Sequence, residues 1–149
     1  VWFQENIENI ADIKNGNSNT NEQNSTGKYP LFIRSQEVKK SDNYIFDAEA
    51  VITVGDGNIG KIFHYYKGKF NLHQRNYAIM NFKSVNAKYF YYYFSANFYN
   101  VVMQMSAKNT VNSVRLPMIS KMNIFYPELK EQIKIFSFFD CINTGLSLL

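Results

Sequence analysis

At 149 residues, with 46% hydrophobic and 19% charged residues, the chain is sized for one globular domain with a core of its own. A single cysteine, Cys141, excludes a disulfide framework and a Cys-based zinc site, and suits a reducing, cytoplasmic setting. The net charge is +4, but it is unevenly spread: residues 1–56 are net acidic, whereas Gly57 to Pro127 holds nine Lys and Arg and no carboxylate.

In chain order, the opening carries Trp2, Ile7, Ile10 and Ile13 and fits either a short strand or a weak helix. Asn15 to Gly27 is polar and low in complexity, a surface loop. In "YPLFIRSQEV", Leu31, Ile33 and Ser35 alternate with Phe32 and Arg34, which predicts a strand, and "KKSDNY" reads as a turn. The β-branched run "AEAVITV" is the strongest strand signal. Asp56-Gly57 then signals a tight hairpin turn, with Gly55, Gly57 and Gly60 supplying unusual φ values or close backbone approach. The aromatic strand "KIFHYYKGKF" is predicted to break at Gly68, and "NLHQRNYAIMNF" to pass from loop to strand.

The clearest helix begins after Asn86 or Ser84 as cap, with Phe90, Phe94, Phe98, Val101 and Met105 on one face. That spacing makes the Tyr89–Tyr93 cluster packing material rather than a base-stacking platform. The most apolar window, Tyr89 to Met105, is too short to span a bilayer and carries Asn97, Asn100 and Gln104. "KNTVNSVRLP" is polar, and "MISKMNIFYP" predicts a strand. Pro127 opens a second helix, with Leu129, Ile133, Phe136, Phe139, Ile142, Leu146 and Leu149 on one stripe that is still running at the last residue. The chain opens on Val1 without a signal-peptide pattern and stops within this helix, which suggests a piece of a longer polypeptide. The expected fold class is mixed α+β: a twisted, mostly antiparallel sheet, one packed amphipathic helix and the start of a C-terminal helix.

"VGDGNIGKI" imitates two nucleotide motifs. Gly55, Gly57 and Gly60 fit G-x-G-x-x-G, but the residues that follow are β-type where a helix must open, and no acidic residue occurs until Glu128. Gly55, Gly60 and Lys61 fit a phosphate loop, but position 62 is Ile where a magnesium-binding hydroxyl is needed. His64 and His73 have no carboxylate near in sequence, so neither a metal site nor a triad is supported. No catalytic constellation stands out. The acid-free segment can instead present a positive field to a polyanion, unless acids from the first third fold over it.

Three pieces carry a family resemblance when taken in order. They are Tyr29-Pro30 leading an Ile-Arg strand to Gln36, the glycine turn trailed by "FNLHQRNYAI", and Pro127 followed by Glu131, Gln132, Ile133 and Ile135 at a helix start. Together they resemble the target recognition domain of specificity subunits of type I restriction–modification systems, over about Trp2 to Phe139. Related modules occur in fused type II enzymes that carry their own methyltransferase.

The resemblance implies a mixed α/β recognition domain at residues 1–126 that reads part of a bipartite site in double-stranded DNA. It implies that residues 127–149 begin a spacer helix that packs against a second recognition domain or a second copy. It also implies methyltransferase (M) and restriction (R) subunits as partners, no membrane, no catalysis by this chain and no cofactor bound to it. S-adenosylmethionine belongs to the partner methyltransferase, which modifies adenine. The chain has one recognition unit where full subunits carry two, and its loop from Gly16 to Gly27 lacks the Thr-Pro often found there.

Reading DNA needs cations on phosphates and donors and acceptors at base edges. The favoured contacts are His73, Gln74 and Arg75, then Lys108, Asn109, Thr110, Asn112, Ser113 and Arg115, with Arg34, Ser35 and Gln36 third. Gln and Asn can bond adenine twice, and Arg guanine. Lys61, Lys67 and Lys69 are phosphate clamps on a hairpin or else its solvated face. Arg75 and Arg115 can alternatively pair with Glu37, Asp42, Asp47 or Glu49. The rival to this whole reading is a non-catalytic protein- or carbohydrate-binding module.

Overall fold

The β-branched run does form the central strand. In a computed structural model that describes residues 1–106 and 112–147, strand β5 spans Phe46–Thr53, flanked by β6 (Phe63–Leu72) and β7 (Tyr77–Met80), both antiparallel to it. The six-stranded sheet also contains β2 (Asp12–Asn15), β3 (Tyr29–Phe32) and β4 (Val38–Ser41), in the order β2-β7-β5-β6-β3-β4. Every pairing is antiparallel except that of β3 with the end of β6. The architecture is mixed α/β with a mostly antiparallel sheet, as the sequence predicts.

Five local expectations are corrected. The strand read in "YPLFIRSQEV" ends at Phe32, which leaves Ile33, Arg34 and Ser35 in the segment after it. β6 does not break at Gly68; it passes through, with Gly68 at φ +138°. "KKSDNY" is not simply a turn, because Lys39, Lys40 and Ser41 lie in edge strand β4, where lysines discourage further pairing. The β5–β6 connection is not a two-residue turn but runs from Val54 to Ile62, both buried. Met118, Ile119 and Ser120 belong to the short helix α2 (Leu116–Ser120), and the strand that follows, β8, is only Asn123–Tyr126. The opening resolves into strand β1 (Phe3–Asn6), a 3-10 turn at Ile7–Asn9, and β2.

The alternation of side chains along β5 and β7 builds two cores. Ala50, Ile52, Ala78 and Met80 point into the curl of the sheet, where they meet Phe32, Phe70 and Leu72. The curl brings the end of β6 back to the segment after β2, where the Ser18 N–H donates to the Leu72 carbonyl at 3.1 Å. Val51, Tyr77 and Ile79 face the other way, onto helix α1 (Ala87–Ser106). Phe90, Phe94 and Phe98 are fully buried and stack with centroids 5.3 and 4.5 Å apart. Burial of each ring contributes about 1.5–3 kcal/mol. The buried face continues through Val102 rather than Val101, and Met105 is exposed. Asn86 is the cap: its Oδ1 accepts from the N–H groups of Lys88 and Tyr89 at 2.8 and 3.3 Å.

β1 pairs with β8, so the start of the chain adjoins the strand that leads into helix α3 (Leu129–Ser147). The face α3 turns inward is led by a polar residue. Gln132 is fully buried; its Oε1 accepts from Asn86 N–H at 2.7 Å, and its Nε2 donates to the carbonyls of Ser84 and Pro127 at 3.0 and 2.9 Å. Ile135 and Phe136 pack beside it against the α1 core. Further along, Asp140 receives Lys88 Nζ at 2.9 Å and the Tyr92 hydroxyl. Of the predicted apolar stripe, Leu129, Ile133, Phe139 and Ile142 are exposed, as is Phe138, and Leu149 lies outside the described residues. Gln132→Ala leaves the buried Pro127 carbonyl and two part-buried groups, Asn86 N–H and Ser84 O, without this partner, and is expected to cost about 1–3 kcal/mol, read as a lower urea midpoint with an unchanged slope. No helix of the described residues is long and apolar enough to cross a membrane.

Candidate nucleic-acid interface

Four segments far apart in sequence meet at one end of the sheet: residues 33–37 after β3, the start of the β5–β6 connection, residues 73–76 between β6 and β7, and residues 112–115 before α2. Backbone and side-chain hydrogen bonds join them. Val114 N–H donates to Gly55 O at 2.7 Å, and Asp56 bridges Ser113. His73 N–H donates to Phe32 O at 3.0 Å, and Asn76 Nδ2 donates to Ile33 O at 2.8 Å. Tyr77, at the start of β7, sends its hydroxyl to Val114 O at 3.0 Å. These are long-range contacts fixed by β5 and β7, so the segments form a built rim rather than loose loops.

The glycine-rich stretch gives this rim its closeness. A Cβ on Gly55 would stand 1.8 Å from the Arg75 carbonyl oxygen, so only glycine lets the two backbones touch. Gly57 and Gly60 serve another need, with φ of +78° and +75°.

Arg34, Gln36, Gln74, Arg75, Asn112 and Arg115 are exposed on these segments, and Ser35 and Ser113 are half-buried. Among the described residues neither Arg75 nor Arg115 forms an ion pair, and Glu37, Asp42, Asp47 and Glu49 do not reach them. The carboxylates on the segments are Asp56, paired to Arg34 at 3.0 Å, and Glu37, paired to Lys39 at 2.9 Å. The rim is therefore net positive.

Some candidates stand elsewhere. His73 is buried, and its Nδ1 accepts the Arg75 N–H at 3.1 Å, so it shapes the turn instead of presenting a contact. Burial, then the charge of Arg34 and to a lesser degree Arg75, keep its pKa below the usual value against the opposing pull of Asp56. The ring is thus neutral near pH 7, as an accepting Nδ1 requires. Lys67 and Lys69 lie mid-strand in β6 opposite Glu49 and Asp47, with Lys69 Nζ 5.1 Å from the Tyr44 ring centre. Lys61 lies over Tyr99 of α1, 5.2 Å from the ring centre. None of the three joins the four segments. Lys108, Asn109 and Thr110 lie outside the described residues. Among the described residues, no group of three His, Cys, Asp or Glu side chains is placed to hold a metal ion.

Two rim residues are missing from the sequence reading. Asp56 looked like a turn residue, and its partner lies 22 positions away. Asn76 is fully buried, with Nδ2 bonded to the carbonyls of both Phe32 and Ile33. Nothing local marks either of them.

A mixed sheet with a basic rim and an exposed departing helix fits a known class. The family model described as type I restriction modification DNA specificity domain matches residues 2–147, and the chain belongs to that family. Among individual proteins, it is similar to the type I restriction enzyme EcoDI specificity subunit of Escherichia coli, with 24% identity over 134 residues, covering 90% of this chain and 29% of that subunit. It shares its fold with the type I restriction–modification S subunit of M. genitalium, at a TM-score of 0.76 and 16% identity over 99% of this chain and 40% of that one. It shares it also with the HsdS subunit of Thermoanaerobacter tengcongensis, at a TM-score of 0.68 and 14% identity over 99% and 38% of the two chains. The chain thus spans well under half the length of each of these relatives.

Proposed function

We propose that this chain is a DNA-reading unit of a type I specificity subunit, which recognises one half of a bipartite site in double-stranded DNA. It delivers a partner adenine methyltransferase and a nuclease to that site. It catalyses nothing itself and binds no cofactor; S-adenosylmethionine is held by the methyltransferase. A cytoplasmic location follows from the proposal, because the complex must meet host DNA.

The observation that carries this reading is the convergence of Arg34, Gln36, Gln74, Arg75, Asn112 and Arg115 on one net positive rim. Cations there can fix the register on phosphates while amides and the hydroxyl of Ser113 reach base edges. The exposed residues of α3 support a second part of the proposal. Leu129, Ile133, Phe138 and Ile142 leave apolar side chains uncovered on both flanks of the side that packs on α1, suited to packing against a second recognition domain or a second copy.

The test is salt dependence. The full-length subunit assembled with its methyltransferase should bind duplex DNA with log K falling linearly against log salt, at a slope of about −0.9 per phosphate contact. Modified adenines mapped in host DNA should share a half-site that is lost when this domain is exchanged. A flat salt response, or a methylation motif indifferent to the exchange, overturns the proposal.

A further inference from the structure

Arg34 and Asp56 form an unusual pair for a surface that grips a polyanion. The Arg34 side chain is 48% exposed, yet its Nη1 is bonded to both Asp56 oxygens, at 3.2 and 3.0 Å. A carboxylate so close cancels much of the guanidinium charge and repels a phosphate. A neutral acceptor pair is not repelled in the same way.

The geometry leaves the opposite edge of the guanidinium free. Only Nη1 is engaged, and no acceptor among the described residues takes Nε or Nη2. Those two parallel N–H groups match O6 and N7 of guanine in the major groove.

The backbone around Arg34 is held on both sides. Asn76 Nδ2 donates to Ile33 O at 2.8 Å, and His64 Nε2 lies 3.4 Å from Ser35 O. Asp56 is fixed in turn by its bridge to Ser113 and by the Val114–Gly55 bond beside it. A long side chain is thereby restricted before DNA arrives, which lowers the ordering cost of binding.

We infer that Arg34 reads a guanine at one position of the half-site and that Asp56 is the positioning residue that sets the angle of its guanidinium. The inference rests on the DNA-reading function proposed above and assigns Arg34 to a base rather than to a phosphate. Arg75 and Arg115, which lack a carboxylate partner among the described residues, are the phosphate-facing cations of the same rim.

The experiment is selection of bound duplexes from a randomised pool by the assembled methyltransferase complex, sequenced position by position, with wild type, Arg34→Ala, Arg34→Lys and Asp56→Asn. Wild type should show a guanine at one position that Arg34→Ala discriminates about ten- to hundredfold less well. Arg34→Lys keeps the charge but not the fork, so it should lose most of that preference with little change in salt slope. Asp56→Asn should weaken the preference at the same position only. Both residues are partly exposed, and the melting temperature of each variant checks that the fold is kept; Arg34→Lys carries the test if Arg34→Ala unfolds.

Unchanged base preference in Arg34→Ala and Arg34→Lys overturns the inference. So does a uniform loss of affinity with a shallower salt slope, which would make Arg34 a phosphate contact, or a change confined to an A·T pair. If the wild-type complex shows no salt-dependent duplex binding, the underlying function fails instead, and the two failures are told apart by the wild-type measurement alone.

Discussion

With Arg75 and Arg115 both replaced by alanine, the assembled complex should bind its duplex about a hundredfold more weakly at about 0.1 M salt, and its salt slope should become shallower by about two. The magnitude follows from counterion release. Each phosphate contact contributes about 0.9 to the slope of log K against log salt, which is close to tenfold in affinity at about 0.1 M relative to about 1 M. Both side chains are exposed on the rim, and neither has an ion-pair partner among the described residues, so no internal carboxylate has to be given up on binding. The loss should be uniform across sequences, because a phosphate carries no sequence information. The order of preferred half-sites should therefore survive in the double variant while affinity falls. An unchanged slope would remove both residues from the interface. A changed preference would move at least one of them to a base edge. Titrations of a fluorescent duplex at four or five salt concentrations give both readouts.

What the sequence revealed follows the range of the interactions involved. The Phe90–Phe94–Phe98 face of α1 was legible because a 3.6-residue period is a local signal that burial then confirms. β5 was legible for a similar reason, as a β-branched run fully buried over Ala50–Thr53. β4 was hidden because Lys39 and Lys40 suit a turn as well as an edge, and only pairing with β3 decides between them. The Asp-Gly pair suggested a tight hairpin, yet the connection is longer because Val54 and Ile62 are drawn into the core and Gly55 is pinned to Val114. The α3 stripe was visible as apolar spacing, but which side faces the domain is set by Gln132, whose three partners lie on other segments or before the helix. At the rim, residue type was legible for Arg34, Gln74, Arg75 and Arg115, and their meeting was not. His73 shows the limit most clearly. Its neighbours Gln74 and Arg75 are exposed, but the curl of the sheet buries the ring against the turn.

Gly55→Ala should destabilise the domain by about 3 kcal/mol or more, at the upper end of what overpacking costs, whereas Gly57→Ala two residues away should cost only about 1–2 kcal/mol. The two glycines look alike in "VGDGNIGKI" and do different things. At Gly57 the methyl would meet nothing within 4 Å, so the penalty is that of an L-residue held at φ +78°. At Gly55 it would sit 1.8 Å from the Arg75 carbonyl oxygen, a backbone atom with little room to withdraw. Asn76 N–H is bonded to His73 O at 3.0 Å, Arg75 N–H to His73 Nδ1 at 3.1 Å, and Tyr77 is registered against Thr53 in the sheet. Gly55 is equally held, through its own carbonyl, by Val114 at 2.7 Å. One of these bonds has to break. The same strain moves Arg75, so any folded Gly55→Ala complex should also lose salt slope, which Gly57→Ala should leave near wild type. Urea unfolding of the two variants separates the mechanisms, since equal midpoints would mean that Gly55 serves only as a flexible joint. A glycine pattern that imitates a phosphate cradle thus brings two backbone segments into contact and sets a guanidinium beside the rim they form.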